Sequence, residues 1–466
     1  MPIGSTADLP VARVGSRLLA PSGAISSQGR VVGEASFPGS ERPLSLRPGD
    51  ALRHLHVLGP TGSGKSTLLL NLIVQDIEAG RGIAVIEPRG DLVAAVLVRI
   101  PPERMDDVVI IDPTASEGSR LVGLNPLALD GRSPELVADQ MLSIFHELFP
   151  TWGARLSDIL AGALLTLARV PGMTLAALPP LLSDATFRRS LLAEIDDPIG
   201  LEPFWASYEA WSDQERTAAI APAMRRLRPF LLHPDVRAIV GQARPRFSVR
   251  KVFTQRKILL VNLSKGLLGG ETAAIIGSLA ISAIWQATLG RVAIAPEKRH
   301  PVFVYADEYQ EYLKLPTDLT DALAQARGMG VGFVLAHQYM HQLDPAMRSA
   351  VLANVQSRIA FRLPGEDARL LASGAVEAED FQSLGAFQAY AQLVAGGAVQ
   401  PWCSLRTLAP GPVISDPVKV RALSANRYGI DRNRVEADIR NLLLERGDRG
   451  RGPEDIGPRR RPGRPG

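Results

Sequence analysis

Short apolar runs alternate with longer amphipathic stretches along most of the chain from about residue 51. Each run has the length and continuous hydrophobicity of a strand buried on both faces of a parallel sheet. The runs are HLHVL (54–58), GIAVIE (82–87), DVVIID (107–112), KILLVNL (257–263), VFVYADE (302–308), GVGFVLAHQ (330–338) and SRIAFRL (357–363). The alternation predicts an α/β fold with a mainly parallel sheet.

The strand pattern stops between about residues 125 and 250. Segments such as SPELVADQMLSIFHELF and RLSDILAGALLTLARV instead carry apolar residues at three- and four-residue spacing, which is typical of helices that bury one face. Ser133 followed by Pro134 is a favourable helix start. We therefore predict an all-α domain inserted into the α/β core.

These patterns divide the chain into four parts. Residues 1–50 are rich in Gly, Ser and Pro with short β-like pieces, and predict an N-terminal β element or an extended arm. The core comprises 51–124 and 251–410, and the all-α insertion 125–250. Residues 411–466 form a C-terminal segment whose end mixes Arg, Gly and Pro, which predicts a disordered basic tail. Such a tail either contacts DNA, RNA or anionic lipid, or is simply solvated.

Composition narrows the class of protein. With 466 residues, 46% of them hydrophobic, the chain can bury a large core. The single cysteine, Cys403, excludes an internal disulfide, and the first residues lack the apolar run of a signal peptide. The most apolar run, 273–289, is short for a bilayer and contains polar residues, so we expect a buried or amphipathic helix and no membrane span. A net charge of +4 does not by itself indicate a nucleic-acid binder.

The stretch GPTGSGKST (59–67) follows the first strand-like run and fits G-x-x-x-x-G-K-[ST]. In this motif, backbone N–H groups converge on phosphate oxygens, the lysine reaches the β and γ phosphates, and the hydroxyl ligates Mg²⁺. A chance glycine turn is the alternative, but a strand before it and a helical run after it favour a bound nucleoside triphosphate. The expected binding residues are Gly59, Thr61, Gly62, Ser63, Gly64, Lys65, Ser66 and Thr67, with Ser66 also on the metal.

Two adjacent carboxylates, Asp307 and Glu308, end an apolar strand-like run downstream of this loop. A nucleotide hydrolase needs one acid in the Mg²⁺ shell and another to orient or deprotonate the attacking water. An Asp-Glu pair also commonly marks a solvated strand end. Its position after a buried strand favours the catalytic interpretation, with Asp307 as metal ligand and Glu308 as the catalytic carboxylate that acts on the water.

Further polar residues follow or join the later strands. Gln338 ends its run, where it either senses the γ-phosphate or only caps a strand. Arg327 lies on the preceding helix, where a guanidinium either stabilises the transition state in a neighbouring subunit or is an ordinary surface charge. Arg358 and Arg362 are rival candidates for that role. The histidines 54, 56 and 337 have no metal-ligand spacing, so we expect no zinc site.

Taken together, five motifs resemble the coupling ATPases of type IV secretion and conjugative DNA transfer, within the HerA/FtsK superfamily of RecA-like motors. The motifs are HLHVLGPTGSGKSTLLLNLI, AVIEPRGDL, VFVYADEYQEY, LAQARGMGVGFVLAHQY and ANVQSRIAFRLPGEDARLLA, in residues 50–395. The resemblance implies a RecA-like P-loop core, ATP and Mg²⁺ as cofactors, and a homohexameric ring that pumps DNA. Arg327 falls where these proteins offer an arginine to the adjacent protomer.

The chain departs from the family pattern at two places. Glu87 and Arg89 stand where coupling proteins usually have an aspartate and a lysine, and we expect the usual N-terminal membrane anchor to be missing. With these departures, the resemblance implies a cytoplasmic ATPase that is recruited to the inner face of the membrane, with a relaxase and secretion-channel proteins as partners. The alternatives are a nucleotide-gated docking protein, a HerA-like cytosolic DNA-processing translocase, and a motor whose cargo is protein.

Overall fold

The computed structural model describes residues 16–114 and 120–449. The predicted basic tail after residue 449 and the first part of the N-terminal segment lie outside the described residues. The strands are β1 Arg30–Ala35, β2 Pro43–Leu46, β3 Leu55–Leu58, β4 Gly82–Glu87, β5 Val108–Ile111, β6 Arg120–Val122, β7 Ile258–Asn262, β8 Val302–Asp307, β9 Val331–His337, β10 Ser357–Ala360, β11 Gln388–Gln392, β12 Val394–Ala395, β13 Ala398–Val399, β14 Cys403–Arg406 and β15 Gly429–Asp431.

Helices fill most of the remaining described chain. They are α1 Pro48–Ala51, α2 Lys65–Glu78, α3 Asp91–Leu97, α4 Pro134–Leu148, α5 Ala154–Arg169, α6 Leu178–Ser183, α7 Ala185–Leu192, α8 Leu201–Glu209, α9 Asp213–Leu232, α10 Pro234–Val240, α11 Arg250–Thr254, α12 Lys265–Leu268, α13 Gly270–Leu289, α14 Leu319–Gly328, α15 Pro345–Asn354, α16 Gly365–Leu371, α17 Ala378–Gln382, α18 Pro417–Tyr428 and α19 Arg432–Arg449.

One sheet of eleven strands organises the fold, in the order β2-β1-β14-β11-β10-β3-β9-β8-β4-β7-β5. The strands from β10 to β5 are parallel to one another, and the four at the other end are antiparallel. Every residue of β4, β7, β8 and β9 is buried, which explains their continuous apolar runs. The prediction of an α/β fold with a mainly parallel sheet is confirmed.

Alternate residues of each central strand pack into two separate apolar cores, one on each face of the sheet. In β4, Ala84 and Ile86 face the core that contains α13 and the helices α4 to α10, whereas Ile83 and Val85 face the core under α2 and α3. Because side chains alternate along a strand, the sheet separates these two helical layers. The sheet thus holds its carboxyl edge, where ligands bind in such folds, rigidly between two packed layers.

The apolar run around residue 280 forms the long core helix α13. Together with the turn that follows it, Gly270–Ala293 is long and apolar enough to cross a membrane by length and composition, but 72% of its most apolar window is buried inside the protein. Trp285 on this helix is 2% exposed. The helix therefore packs as part of the core, as its polar residues predicted.

Residues 125–250 contain helices and no strand. Helix α4 begins at Pro134, and the side chain of Ser133 caps it by accepting a hydrogen bond from the Leu136 N–H. The N-terminal strands β1 and β2 lie at the antiparallel end of the main sheet, where β1 pairs with β14. The boundaries of the four predicted segments stay predictions.

The C-terminal helices span from the sheet to the inserted helices. Helix α18 packs on β5, the short strand β15 pairs with β6, and α19 packs against α7. Arg237 of α10 contacts Glu436 of α19 at 2.8 Å, and Arg446 of α19 pairs with Glu194 just beyond α7. The last described segment therefore connects the α/β core to the helical layer.

A buried ion pair fastens β1 to the helix that follows the glycine-rich loop. The guanidinium of Arg30, 1% exposed, donates to both carboxylate oxygens of Asp76 on α2 at 3.0 and 3.1 Å, and to the hydroxyl of Tyr305 at 2.8 Å. The same carboxylate also receives a bond from Arg81, whose side chain is 21% exposed. The N-terminal strand is thus tied to the layer beneath the candidate site.

We expect Arg30→Ala to lower the free energy of unfolding by about 3–5 kcal/mol, because it leaves the Asp76 carboxylate buried without its bidentate partner. Arg81→Ala is the matched control. It removes the more exposed partner of the same carboxylate, and we expect a loss of about 1 kcal/mol or less. Urea unfolding followed by circular dichroism measures both, and equal losses would contradict the assigned role of Arg30.

Candidate nucleotide site

The glycine-rich turn lies at the carboxyl edge of the sheet, between β3 and α2. Gly62 and Gly64 have φ values of 80° and 117°, a region that side chains disfavour. A Cβ atom at Gly64 would lie 3.0 Å from the rings of both Phe361 and Phe387, and one at Gly59 would lie 2.6 Å from Ser63 Oγ. The turn therefore requires its glycines for conformation and for space.

The turn is held by backbone hydrogen bonds from two neighbouring segments. The N–H of Gly59 donates to the carbonyl of His337 at 3.3 Å, and the N–H of Phe387 donates to the carbonyl of Ser63 at 2.8 Å. Helix α2 starts directly at Lys65, so the free N–H groups of its first turn point toward the loop. This arrangement suits an anion such as a phosphate chain.

All eight predicted nucleotide-binding residues lie in this turn and the first turn of α2. Thr61, Gly62 and Ser66 are exposed, Thr67 is half-buried, and Ser63, Gly64 and Lys65 are buried. The hydroxyl of Ser63 is buried without a hydrogen-bond partner. A buried unpaired hydroxyl is unfavourable, so the loop keeps a polar group that is available to a ligand.

The side chain of Lys65 joins the loop to the two predicted acids. Its Nζ lies 2.7 Å from Glu308 Oε1 and 3.1 Å from Asp307 Oδ1. Asp307 is the last residue of β8, and Glu308 follows it with φ 49° and ψ 45°. This left-handed conformation is strained for a glutamate, and such strain is concentrated at functional sites. It turns the Glu308 carboxylate back toward the glycine-rich loop.

Burial and the lysine charge act differently on the two acids. Burial raises the pKa of Asp307, and the attraction of Lys65 offsets only part of that rise. Burial acts in the same direction on Glu308, but the charge and hydrogen bond of Lys65, together with hydrogen bonds from two glutamines, outweigh it and hold its pKa below the ordinary value. Glu308 is therefore the acid that Lys65 keeps ionised.

Two glutamines fix the Glu308 carboxylate. Gln338, directly after β9, donates from Nε2 to Oε1 at 2.9 Å, and Gln310 donates from Nε2 to Oε2 at 3.0 Å. Strands β8 and β9 are neighbours, which brings Gln338 to the acids across the carboxyl edge of the sheet. The predicted residues Lys65, Asp307, Glu308 and Gln338 thus form one cluster.

Glu87 and Arg89 also belong to this cluster, although sequence reasoning treated them only as departures from a family pattern. The guanidinium of Arg89 lies 3.9 Å from Glu308 Oε1 and its side chain is 48% exposed. Glu87, the last residue of β4, is 1% exposed and accepts from the Val93 N–H at 3.3 Å, and burial raises its pKa. The signal in the sequence for their place in the cluster was their position at or just after the end of a buried strand, and β4 neighbours β8, which carries the two acids.

Two buried histidines lie next to the base of the loop on β3 and β9. The rings of His56 and His337 stack with their Nε2 atoms 2.8 Å apart. Burial lowers the pKa of His337 to about 3 and that of His56 well below its ordinary value, so both rings are neutral. Within residues 16–114 and 120–449, no group of three or more His, Cys, Asp or Glu side chains is arranged to hold a metal.

The arginine candidates lie in three different places. Arg327 is exposed near the end of α14, by the start of β9, and a strand of seven residues separates that edge from the loop by about 20 Å. Arg358 is half-buried and donates to the Leu352 carbonyl at 2.5 Å. Arg362 is exposed just beyond β10, on the same edge as the loop. Within one chain, Arg327 does not reach the cluster.

Neither a protein-family model nor a curated protein matches the sequence significantly. Solved structures do match. Plasmid coupling protein TrwB in complex with ADP and Mg²⁺ matches with a TM-score of 0.60 at 18% identity, over 89% of this chain and 99% of that one. VirB4 of Thermoanaerobacter pseudethanolicus matches with a TM-score of 0.51 at 14% identity, over 84% and 98% of the two chains.

TrwB in complex with a non-hydrolysable ATP analogue gives the same picture, with a TM-score of 0.59 at 18% identity over 88% of this chain. At such low identity the likeness concerns the fold. It covers nearly the whole of each matched chain. The chain therefore has the RecA-like α/β fold of the coupling protein TrwB and of VirB4.

Proposed function

We propose that the chain is an ATP-driven DNA translocase of conjugative transfer or type IV secretion that hydrolyses ATP at the subunit interfaces of a ring. One observation carries the ATPase part of this proposal. Lys65 of the glycine-rich loop meets Asp307 and Glu308 at one edge of a parallel sheet, with Gln338 on the same carboxylate. These are the parts that nucleotide hydrolysis requires, and they lie within hydrogen-bond distance of one another.

The residues fit a nucleotide with Mg²⁺. Asp307 Oδ1 is buried and its contact is the ion pair with Lys65, which a phosphate chain would draw away, and the hydroxyl-bearing Ser66 is exposed at the loop, so Ser66 and Asp307 are the residues that would hold the metal. Bound there, Mg²⁺ would neutralise charge on the phosphates. The unpaired Ser63 hydroxyl and the N–H groups at the start of α2 would receive phosphate oxygens.

A phosphate chain would change the partner of Lys65. The ammonium now lies between Asp307 and Glu308, and the β and γ phosphates would draw it toward the loop. Glu308 Oε1 would then be free to orient a water for attack, while Gln310 still holds Oε2. Gln338, which shares Oε1 with Lys65, is placed to respond to the same exchange and to act as the sensor of hydrolysis.

The choice of DNA as cargo rests on analogy. TrwB, which this chain resembles in fold, is a plasmid coupling protein and a bacterial conjugative coupling protein. By the same analogy we propose that the chain forms a homohexamer in the cytoplasm. Recruitment to the inner face of the membrane, by secretion-channel proteins or a relaxase, belongs to this proposal.

A nucleotide-gated docking protein and a HerA-like cytosolic DNA-processing translocase are the main rivals. Both acids are present, and Glu308 is strained toward the loop, which favours a hydrolase over a docking protein whose nucleotide only closes a ring. A motor that moves protein would share this active site. Cargo therefore has to be decided by experiment.

The deciding experiment is the ATP hydrolysis rate of the size-fractionated oligomer, measured without DNA and with single- or double-stranded DNA. We expect hydrolysis in the oligomer fraction to rise when DNA is added, with Glu308→Gln as the inactive control. Tight nucleotide binding without turnover in every fraction would favour the docking protein. A hydrolysis rate that neither single- nor double-stranded DNA changes would favour a protein cargo.

A further inference from the structure

Phe387 is an aromatic residue at the mouth of the candidate site that the proposed chemistry does not use. It precedes β11, and because β11 runs antiparallel to β10, its start lies at the same edge as the glycine-rich loop. The side chain is 45% exposed, and the backbone φ is 63°. Exposure of an apolar ring to water and a left-handed backbone are both unfavourable, and packing of the half-exposed ring does not offset them.

Two hydrogen bonds impose that backbone conformation. The Phe387 N–H donates to the Ser63 carbonyl at 2.8 Å, and the Phe387 carbonyl accepts from the Thr407 N–H at 3.0 Å. The first bond fixes Phe387 on the glycine-rich loop, and the second fixes it on the segment that leaves β14. The ring position is therefore set by the loop itself.

The ring lies directly beside the backbone that would bind phosphate. A Cβ atom at Gly64 would lie 3.0 Å from Phe387 Cδ1 and 3.0 Å from Phe361 Cε1. Phe361 is completely buried and supports the loop from within the core. Phe387 touches the same glycine but leaves nearly half of its surface open, so the loop has an internal aromatic support and a second, external aromatic surface.

We propose that the exposed face of Phe387 stacks on the nucleobase of the bound nucleoside triphosphate. The inference rests on the proposed nucleotide-binding function and adds the base subsite to it. A phosphate chain anchored on residues 63–66 leaves its sugar and base just outside the loop, where the ring offers an apolar surface. Aromatic rings stack on any base, and a phenyl ring has no hydrogen-bonding group to select among them.

The expected specificity follows from that chemistry. Stacking strength grows with the area of the base, so a purine binds more tightly than a pyrimidine. Adenine and guanine differ little, because nothing on the phenyl ring distinguishes their polar edges. A ligand with phosphates but no base gains nothing from the ring.

The test compares a nucleotide with inorganic tripolyphosphate, both with Mg²⁺, by calorimetric titration of the full chain. We expect Phe387→Leu to weaken binding of the β,γ-imido analogue of ATP about ten- to a hundredfold and to change tripolyphosphate binding less than about twofold. Phe387→Tyr should keep the parent affinity for both. Leucine retains an apolar side chain against Gly64, so it removes the aromatic face with little loss of packing.

Phe361→Leu is the control for loop support, since its ring is buried and cannot meet a base. We expect it to weaken both ligands by similar factors. If Phe387→Leu also weakens both equally, or changes neither, the base subsite is wrong while nucleotide binding stands. If the parent chain binds neither ligand, the proposed function itself fails, and the inference falls with it.

Fluorescence gives an independent measurement. In Phe387→Trp, stacking on a purine should quench the added tryptophan when the ATP analogue binds, but tripolyphosphate should not. The parent chain, with its five tryptophans, supplies the background to subtract. Equal quenching by the two ligands would contradict stacking.

Discussion

Glu308→Gln is expected to bind ATP with near-parental affinity and to turn it over about a hundred- to ten-thousandfold more slowly. Glutamine keeps the size of the side chain but can no longer accept a proton from the attacking water or attract it with a full charge, and such groups contribute about 10²–10⁴ in rate. Ground-state phosphate contacts come from the loop, which the substitution does not alter. Single-turnover hydrolysis and equilibrium binding measure the two effects separately.

Lys65→Ala is expected to impair nucleotide binding, the step before hydrolysis. Its ammonium is the charge that the phosphates would receive from the loop, so its removal weakens nucleotide binding as well as turnover. Glu311→Gln is the matched control for Glu308→Gln and should keep the parental turnover. Glu311 lies three residues after Glu308 but pairs with the exposed Lys265 instead of Lys65. Parental turnover in Glu308→Gln would remove that residue from the chemistry.

Arg327→Ala is expected to reduce turnover by about a thousandfold or more while each subunit still binds ATP at its own loop. The residue is exposed, and in the part of the chain that the structure describes its side chain has no hydrogen bond or ion pair. It also lies at the edge of the sheet opposite the loop. A catalytic role therefore requires that it act on the site of an adjacent subunit.

Mixing two inactive variants tests this directly. Lys65→Ala subunits still offer Arg327, and Arg327→Ala subunits still offer an intact loop, so some mixed interfaces should regain hydrolysis. Arg225→Ala, which removes an exposed charge from α9, is the control and should keep the parental rate without DNA. Sizing of labelled mixtures verifies that subunits exchange.

If exchange is shown and no activity returns, Arg327 is not the trans-acting residue. The test then passes to Arg362, which is exposed at the edge that carries the loop. Arg358 is the weaker successor, because its guanidinium already donates to the Leu352 carbonyl and lies 3.4 Å from Gln392 Oε1. Releasing it would break contacts inside its own subunit.

The central strands could be predicted from sequence because burial on both faces leaves an unbroken apolar run. The predicted run at 82–87 coincides with β4, and the run at 330–338 contains β9. Strand partners were not predictable in this way. The N-terminal β-like pieces gave no indication that β1 pairs with β14 or that Arg30 of β1 pairs with Asp76 of α2, because both contacts join residues far apart in the chain.

The candidate site shows the same limit at the level of side chains. Lys65, Asp307, Glu308 and Gln338 end or follow strands, and the parallel order of the sheet brings them to one edge. The position of Arg89 after a buried strand indicated only the edge of the sheet on which it lies. Its contact with Glu308 could not be predicted, because it depends on how the side chain reaches across from the end of β4.

Backbone conformation was equally hidden from the sequence. Neither Glu308 nor Phe387 is a residue type that signals a left-handed conformation, yet both adopt it. In each case contacts with residues distant in sequence supply the constraint. Local propensity therefore gives no warning of either one.

The packing of α19 against α7 means that α7 is synthesised well before the helix that covers it. About 240 residues separate the end of α7 from the start of α19, which is the last described helix. At about 5–20 residues per second, a ribosome needs roughly 10–50 s to cover that distance. During this interval the nascent helical layer has an uncovered face, so a message truncated before residue 432 should yield a chain that chaperones hold and proteases remove.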